Sequence, residues 1–139
     1  MISIIVGAKG TGKTKQIIDR ANATLADRKG DTVFLTTTTR YRMEINPRIK
    51  LIDVRDEGIC NKDLLFGFIR GMLSANYDIE YVFIDGVYKM MNTTIDSAEM
   101  AELFLLLETL DNGSGVKFVL TISCDKENLP AFIAKHLDK

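Results

Sequence analysis

The first fourteen residues decide the fold: Met1–Thr14 reads MISIIVGAKGTGKT. Ile2–Val6 is a short, almost wholly apolar run rich in β-branched side chains, and such runs form buried strands. Three glycines follow within six residues, and from Lys13 the composition is that of a helix, predicted over Lys13–Lys29. The stretch therefore predicts a strand, a glycine-rich turn and a helix in direct succession.

The glycine-rich turn has the spacing of a phosphate-binding loop, because Gly7–Thr14 fits the pattern G-x-x-x-x-G-K-[ST] between a strand and a helix. Glycines let successive backbone N–H groups surround an anion, and the helix N-terminus adds its positive end. Lys13 is expected to reach the β- and γ-phosphates, and the Thr14 hydroxyl to bind Mg²⁺. The alternative is a plain glycine turn with an incidental lysine. The residues predicted to bind the nucleotide are Gly7, Ala8, Lys9, Gly10, Thr11, Gly12, Lys13, Thr14 and Lys15.

The remainder of the chain alternates short apolar runs with helix-length segments, which is typical of an α/β fold with a parallel sheet. The runs do not alternate in polarity, so helices are expected on both faces of the sheet, giving three layers. The predicted strands are Ile2–Val6, Thr32–Thr37, Lys50–Val54, Tyr81–Asp85 and Val116–Ile122, and the further predicted helices are Lys62–Asn76, Ser97–Asp111 and Leu129–Leu137. We expect a single domain, residues 1–139.

A second half of the predicted site lies at the end of another strand. Tyr81–Asp85 reads YVFID, four apolar residues followed by one carboxylate. Ligands bind beyond the carboxyl ends of parallel strands, so Asp85 is expected beside the glycine loop. The alternative is a carboxylate that only caps the loop after the strand. The next residue is Gly86, which leaves the position after Asp85 without an acidic side chain to orient an attacking water.

With these residues the sequence resembles the P-loop NTPases: Gly7–Thr14 is similar to their Walker A motif, and the apolar run ending at Asp85 to Walker B. The order of elements resembles the RecA-like branch over nearly the whole chain, and the chain is similar to small bacterial P-loop proteins catalogued with twitching-motility ATPases. The resemblance implies a five-stranded, mostly parallel sheet in the order 1-5-4-2-3, with ATP and Mg²⁺ as cofactors. The sequence has no guanine-reading Asn-Lys-x-Asp motif, which favours adenine.

The resemblance also implies candidates for the chemistry of hydrolysis. Lys13 would act on the phosphates, and Asp85 would hold Mg²⁺ through water. Some RecA-type folds place their glutamate on a different strand, which makes Glu57 the best substitute for the missing base; the alternative is a solvated turn. The last predicted strand ends in Thr121 and Ser123, where a polar residue resembles a sensor that faces the γ-phosphate. The alternative there is an ordinary pair of strand-end hydroxyls.

The predicted helix over residues 97–111 carries more apolar side chains than one buried stripe requires. Either it is buried on two sides, or it offers a surface to a second copy or a protein partner. Asp96 is predicted to begin this helix as its N-cap, and Asn112-Gly113 to end it. In the preceding helix, Gly67 and Gly71 lie four residues apart and are predicted to allow close packing on the sheet.

Composition excludes several classes of protein. The formal net charge of −1 gives no electrostatic case for nucleic acid as a partner. Two cysteines and one histidine argue against a disulfide framework or a zinc site. The longest apolar runs are far shorter than the ~18 residues that span a bilayer, so we expect a cytoplasmic protein without a membrane span.

Three functions fit these observations. The first is an ATPase that is slow alone and depends on self-association or a partner for its missing catalytic group. The second is a nucleotide-dependent switch or adaptor that hydrolyses little. The third, a small-molecule (nucleoside-type) kinase, needs an acceptor pocket and a lid of arginines, which only the segment 40–48 could supply.

Overall fold

The computed structural model describes residues 1–137 and contains, over that range, one sheet of five parallel strands. The strands are β1 Ile2–Gly7, β2 Asp31–Thr36, β3 Lys50–Asp53, β4 Ile79–Ile84 and β5 Lys117–Ser123. Their order across the sheet is β1-β5-β4-β2-β3. The α/β class, the parallel direction and the strand order are therefore confirmed.

Both faces of the sheet are buried, which explains why its strands are apolar without alternation. Phe34 of β2 and Phe83 of β4 point to one face, where their rings stack with centroids 6.4 Å apart and pack with Ile17. Their chain neighbours Leu35 and Ile84 point to the opposite face and a second, larger core cluster. Since successive side chains of a strand point to opposite faces, the two clusters establish three layers.

Five helical segments cover the sheet within the described chain: α1 Lys13–Ala23, α2 Lys62–Ala75, α3 Val87–Met90, α4 Ala98–Ser114 and α5 Ala131–Ala134. The first is shorter than predicted, because a separate 3-10 turn over Thr24–Ala26 follows it. The short helix α3 was not predicted. None of the helices within residues 1–137 has the length and apolarity needed to cross a membrane.

The predicted ends of α4 were wrong by one to three residues. The N-cap is Ser97, whose hydroxyl accepts a hydrogen bond from the Met100 N–H at 3.1 Å. The helix continues through Gly113, which takes a helical conformation, and ends at Gly115. Gly115 has φ +73°, the left-handed conformation that closes many helices and that glycine adopts without steric cost.

The terminal helix predicted over Leu129–Leu137 is present but much shorter than predicted. Lys126–Asn128 forms a 3-10 turn, and only Ala131–Ala134 is α-helical, beginning directly after Pro130. Leu137 then pairs as a parallel bridge with Ile4, at the outer edge of β1. The bridge supplies hydrogen-bond partners to the backbone of the edge strand β1, and a residue that makes it cannot also continue the helix.

The apolar helix α4 is buried on two sides. It packs against α2, α5 and β1. Phe104 meets the ring of Phe132 from α5 edge-on, with centroids 5.7 Å apart. The residues of α4 that are fully buried are Met100, Leu103, Phe104 and Leu107. Within the described part of this helix, Leu105 is the large apolar side chain left exposed, at 63%.

The prediction of close packing at Gly67 and Gly71 was wrong. A Cβ placed on either glycine would have no heavy atom within 4 Å. Both residues line an open, mainly apolar groove of about 810 Å³ between α2 and the strands β2 and β3. The glycine face of α2 is therefore separated from the sheet by this groove and does not pack closely on it.

Candidate functional site

The loop between β1 and α1 is held in a tight curve by its own backbone. Gly10 and Gly12 have φ of +84° and +85°, a conformation that costs glycine little and other residues much more. The carbonyl oxygen of Ala8 accepts hydrogen bonds from the Thr11 N–H at 3.3 Å and the Thr11 hydroxyl at 2.7 Å. The helix α1 begins directly after Gly12, so the unpaired N–H groups of its first turn face the loop.

Lys13 is folded back against this loop. It is only 9% exposed, and its Nζ donates a hydrogen bond to the Ala8 carbonyl oxygen at 3.0 Å. Burial lowers the pKa of Lys13 below its ordinary value, the nearby charge of Lys89 lowers it further, and Asp85 opposes both effects. A buried ammonium with one neutral acceptor is a strong attractor for an anion.

Asp85 lies directly after β4, and two hydroxyls hold its carboxylate. The Thr14 hydroxyl donates to Oδ2 at 3.2 Å, across 71 residues of sequence. The Thr121 hydroxyl, from the neighbouring strand β5, donates to Oδ1 at 2.7 Å. The fold therefore brings the end of the glycine loop, the end of β4 and the end of β5 together on one carboxylate.

Gly86 has a backbone reason to be glycine. Its φ is +78°, and from there the chain turns into α3. Its N–H donates to the Thr121 hydroxyl at 2.8 Å, so one threonine fixes both Asp85 and the residue after it. An acidic L-residue at this position would be strained, which accounts for the missing carboxylate. What α3 presents instead are Tyr88 and Lys89.

These groups surround a cavity of about 740 Å³ at the carboxyl edge of the sheet. Of the predicted site residues, it is lined by Lys9, Gly10, Gly12, Lys13, Thr14, Lys15, Asp85 and Ser123. Gly7, Ala8 and Thr11 do not line it. Thr121, and not Ser123, bonds to Asp85.

Glu57 does not line this cavity. It lies exposed in the turn after β3, the strand at the far edge of the sheet from β1. Arg55 from the same turn does line the cavity, and its guanidinium is paired with the Asp53 carboxylate at 3.0 Å. Among the lining residues of the described chain, Asp85 is the only carboxylate.

Several lining residues were not singled out from the sequence: Thr37, Thr38, Tyr41, Tyr88 and Lys89. All of them follow the end of β2 or β4. Their position just after a predicted strand was therefore the one feature of the sequence that could have indicated them, because the carboxyl ends of parallel strands meet at one edge of the sheet. It could not separate lining side chains from solvated ones in the same loops.

The oxygen atoms at this site fit Mg²⁺. The Thr14 hydroxyl and the Asp85 carboxylate are adjacent hard oxygen donors, and Mg²⁺ keeps several waters and ligand oxygens in addition to few protein ligands. Over residues 1–137 there is no cluster of three or more His, Cys, Asp or Glu side chains that could hold a metal without a ligand's help. Thr14 and Asp85 are accordingly the residues that would hold the ion.

Comparison with known proteins gives a structural likeness only. No protein-family model matches this chain, and no curated protein matches its sequence. Among solved structures it is similar to the crystal structure of flagellar accessory protein FlaH from Methanocaldococcus jannaschii, with a TM-score of 0.58 and 13% sequence identity. The match covers 96% of this chain and 65% of that chain. The chain thus shares with FlaH its α/β fold, a five-stranded parallel sheet in the order β1-β5-β4-β2-β3 between layers of helices.

Proposed function

We propose that this protein binds ATP with Mg²⁺ in the cavity at the carboxyl edge of its sheet and hydrolyses it slowly when alone. One observation carries the proposal: Lys13, Thr14 and Asp85, from opposite halves of the chain, converge beside a loop with two left-handed glycines. The RecA-like fold shared with FlaH supports a nucleotide-binding role of the ATPase type.

Each residue has a role in this proposal. Backbone N–H groups of residues 10–14 surround the phosphates, and Lys13 exchanges its bond to the Ala8 carbonyl oxygen for phosphate oxygens. Mg²⁺, when bound, neutralises charge on the phosphate oxygens. Thr14 would hold the ion through its hydroxyl, and Asp85 through water. Thr121 keeps the carboxylate of Asp85 oriented for that contact.

Slow hydrolysis follows from the side chains that line the cavity. An attacking water needs a group that orients it. Asp85 is the only carboxylate lining the cavity in the described chain, and two hydroxyls already bond to it. We therefore propose that a second copy of the chain or another protein supplies the orienting group. Helix α4 was predicted to offer a surface to such a partner, and Leu105 is its large apolar side chain that is exposed.

Turnover measured against protein concentration tests the proposal. Specific ATPase activity is expected to rise with concentration as copies associate, followed in parallel by light scattering. Lys13→Ala, the matched control, should abolish activity at every concentration. Brisk turnover by a dilute monomer would contradict the dependence on a partner, and an absence of ATP binding in calorimetry would contradict the whole proposal.

The second candidate is a switch that binds ATP and releases it with little hydrolysis. The presence of a single lining carboxylate, already bonded to two hydroxyls, favours it. In that case the bound nucleotide alone decides whether a partner binds. Lys13→Ala should then abolish ATP binding and partner binding together, and partner binding that survives this substitution would exclude the switch.

A further inference from the structure

The cavity is far more cationic than a metal site with one carboxylate requires. Six of its lining side chains are basic: Lys9, Lys13, Lys15, Arg40, Arg55 and Lys89. Several are partnered within the chain. Lys15 lies 3.8 Å from Asp19, Arg55 pairs with Asp53, and the Arg40 guanidinium lies over the Tyr41 ring.

Lys89 differs from Lys15, Arg40 and Arg55 in its position and, as Lys9 does, in its lack of partners within the described chain. Throughout residues 1–137 its ammonium has no hydrogen bond or ion pair. It is carried by α3, which begins immediately after Asp85 and Gly86. Its backbone N–H donates to the Gly86 carbonyl oxygen at 3.0 Å. A Cβ on Gly86 would lie 3.5 Å from Cδ of Lys89, so the aliphatic stem of Lys89 passes over Gly86.

The side chain of Lys89 shares its cavity with that of Lys13. Both residues line it, together with the single carboxylate of Asp85. Two ammonium groups near a single carboxylate leave an excess of positive charge. An anion placed between them would remove their repulsion and gain attraction from both.

We propose that Lys89 binds the terminal phosphate of the nucleotide, opposite Lys13, and so makes the site select triphosphate over diphosphate. This inference rests on the proposed function. Gly86 stands where a water-orienting carboxylate would be expected. Its left-handed turn leads into α3, which brings Lys89 to the phosphates as a second cation. Lys89 stabilises charge on the terminal phosphate and takes no proton from water, in keeping with slow hydrolysis.

Calorimetry on the full chain tests the inference, with Mg²⁺ and either a non-hydrolysable ATP analogue or ADP. Lys89→Met should weaken the triphosphate about tenfold, the effect of losing one charge-assisted hydrogen bond, and change ADP affinity by less than about twofold. The matched control is Lys50→Met, which removes the same charge from an exposed lysine at the start of β3, the opposite edge of the sheet. It should leave both affinities unchanged.

The outcomes separate this inference from the proposed function. If wild type binds both nucleotides and Lys89→Met keeps the wild-type ratio of triphosphate to diphosphate affinity, the inference is overturned and the proposed function stands. If wild type binds neither nucleotide, both are overturned. A melting curve of ligand-free Lys89→Met that matches wild type establishes that the loss is one of binding and not of folding.

Discussion

The hydroxyl of Thr121 donates to Oδ1 of Asp85 at 2.7 Å and accepts from the Gly86 N–H at 2.8 Å. Thr121 is 2% exposed, and its two partners are half-buried at the edge of the cavity. Because β5 lies between β1 and β4, its side chain reaches the carboxylate from the side of the glycine loop. This one threonine fixes the carboxylate and the turn that leads into α3.

Thr121→Val is expected to destabilise the protein by about 0.5 to 1.5 kcal/mol, since it removes the acceptor of the half-buried Gly86 N–H. The released carboxylate should also reduce the affinity for Mg²⁺-ATP more than the affinity for ATP without metal. Urea unfolding and calorimetry with and without Mg²⁺ measure the two effects. Thr121→Ser keeps the hydroxyl and should retain most of the stability and most of the affinity for Mg²⁺-ATP. Equal losses of stability and affinity in the Val and Ser variants would contradict the role of the hydroxyl.

Lys13→Met is expected to raise the stability of the ligand-free protein by up to about 1 kcal/mol, or ~3 °C for a chain of this size. Burial lowers the pKa of Lys13 in the folded state, so its charge opposes folding wherever the unfolded chain is also protonated. This cost is complete below the folded pKa. It disappears as pH rises from there through the ordinary value of 10.5, because the native state releases its proton first.

Thermal melts of wild type and Lys13→Met without nucleotide, across that pH range, measure the difference in stability. This difference should shrink as the pH rises. Addition of Mg²⁺-ATP at 100 times its Kd should stabilise wild type by about 2.7 kcal/mol and leave Lys13→Met unchanged. A variant that is less stable than wild type at neutral pH would show that the hydrogen bond to the Ala8 carbonyl oxygen outweighs the burial of the charge.

Glu108 links α4 to the end of the described chain. Its Oε1 accepts from Nζ of Lys135 at 2.8 Å and contacts Nε2 of His136 at 3.0 Å. The hydrogen bond from Lys135 is the main cause that lowers the pKa of Glu108, with His136 adding to it and burial opposing. The stabilisation is therefore present above the ordinary value of 4.5 and is lost as pH falls through the lower folded pKa.

Glu108→Gln should cost about 0.5 to 1 kcal/mol at neutral pH, the range of a partly exposed ion pair. The difference in free energy of unfolding between variant and wild type should disappear as the pH falls below the pKa of Glu108 in the folded protein. Urea unfolding at several pH values measures it. Glu127→Gln, an exposed glutamate in the turn after β5, is the control. A gap that stays constant with pH would contradict the ionised contact.

Gly71→Ala is expected to stabilise the protein by about 0.5 to 1 kcal/mol, because alanine is the better helix former and its methyl group meets nothing. Gly30→Ala is the contrasting variant: there the added Cβ collides with the backbone carbonyl of Asp78, and stability should fall. Denaturant unfolding of both variants measures the pair. Destabilisation by Gly71→Ala would indicate that the groove beside α2 closes in solution.

Some residues of the site could be predicted from the sequence and others could not. Gly7–Thr14 was predicted as a unit because the whole loop is local: glycine spacing, the preceding strand and the following helix lie within a few residues. Asp85 was predicted because it ends an apolar strand. Lys89 and Tyr88 could not be predicted, since their place depends on the left-handed turn at Gly86 and on the short helix that follows it.

The sequence by itself determined the five strands and the layered parallel sheet, because apolar runs without alternation are buried between two layers of helices. Only the tertiary structure decided which hydroxyl holds Asp85, that Glu57 stays outside the cavity, and that α4 is covered by α5. These outcomes depend on contacts between segments far apart in the chain. Local periodicity carries no information about such contacts, which packing alone settles.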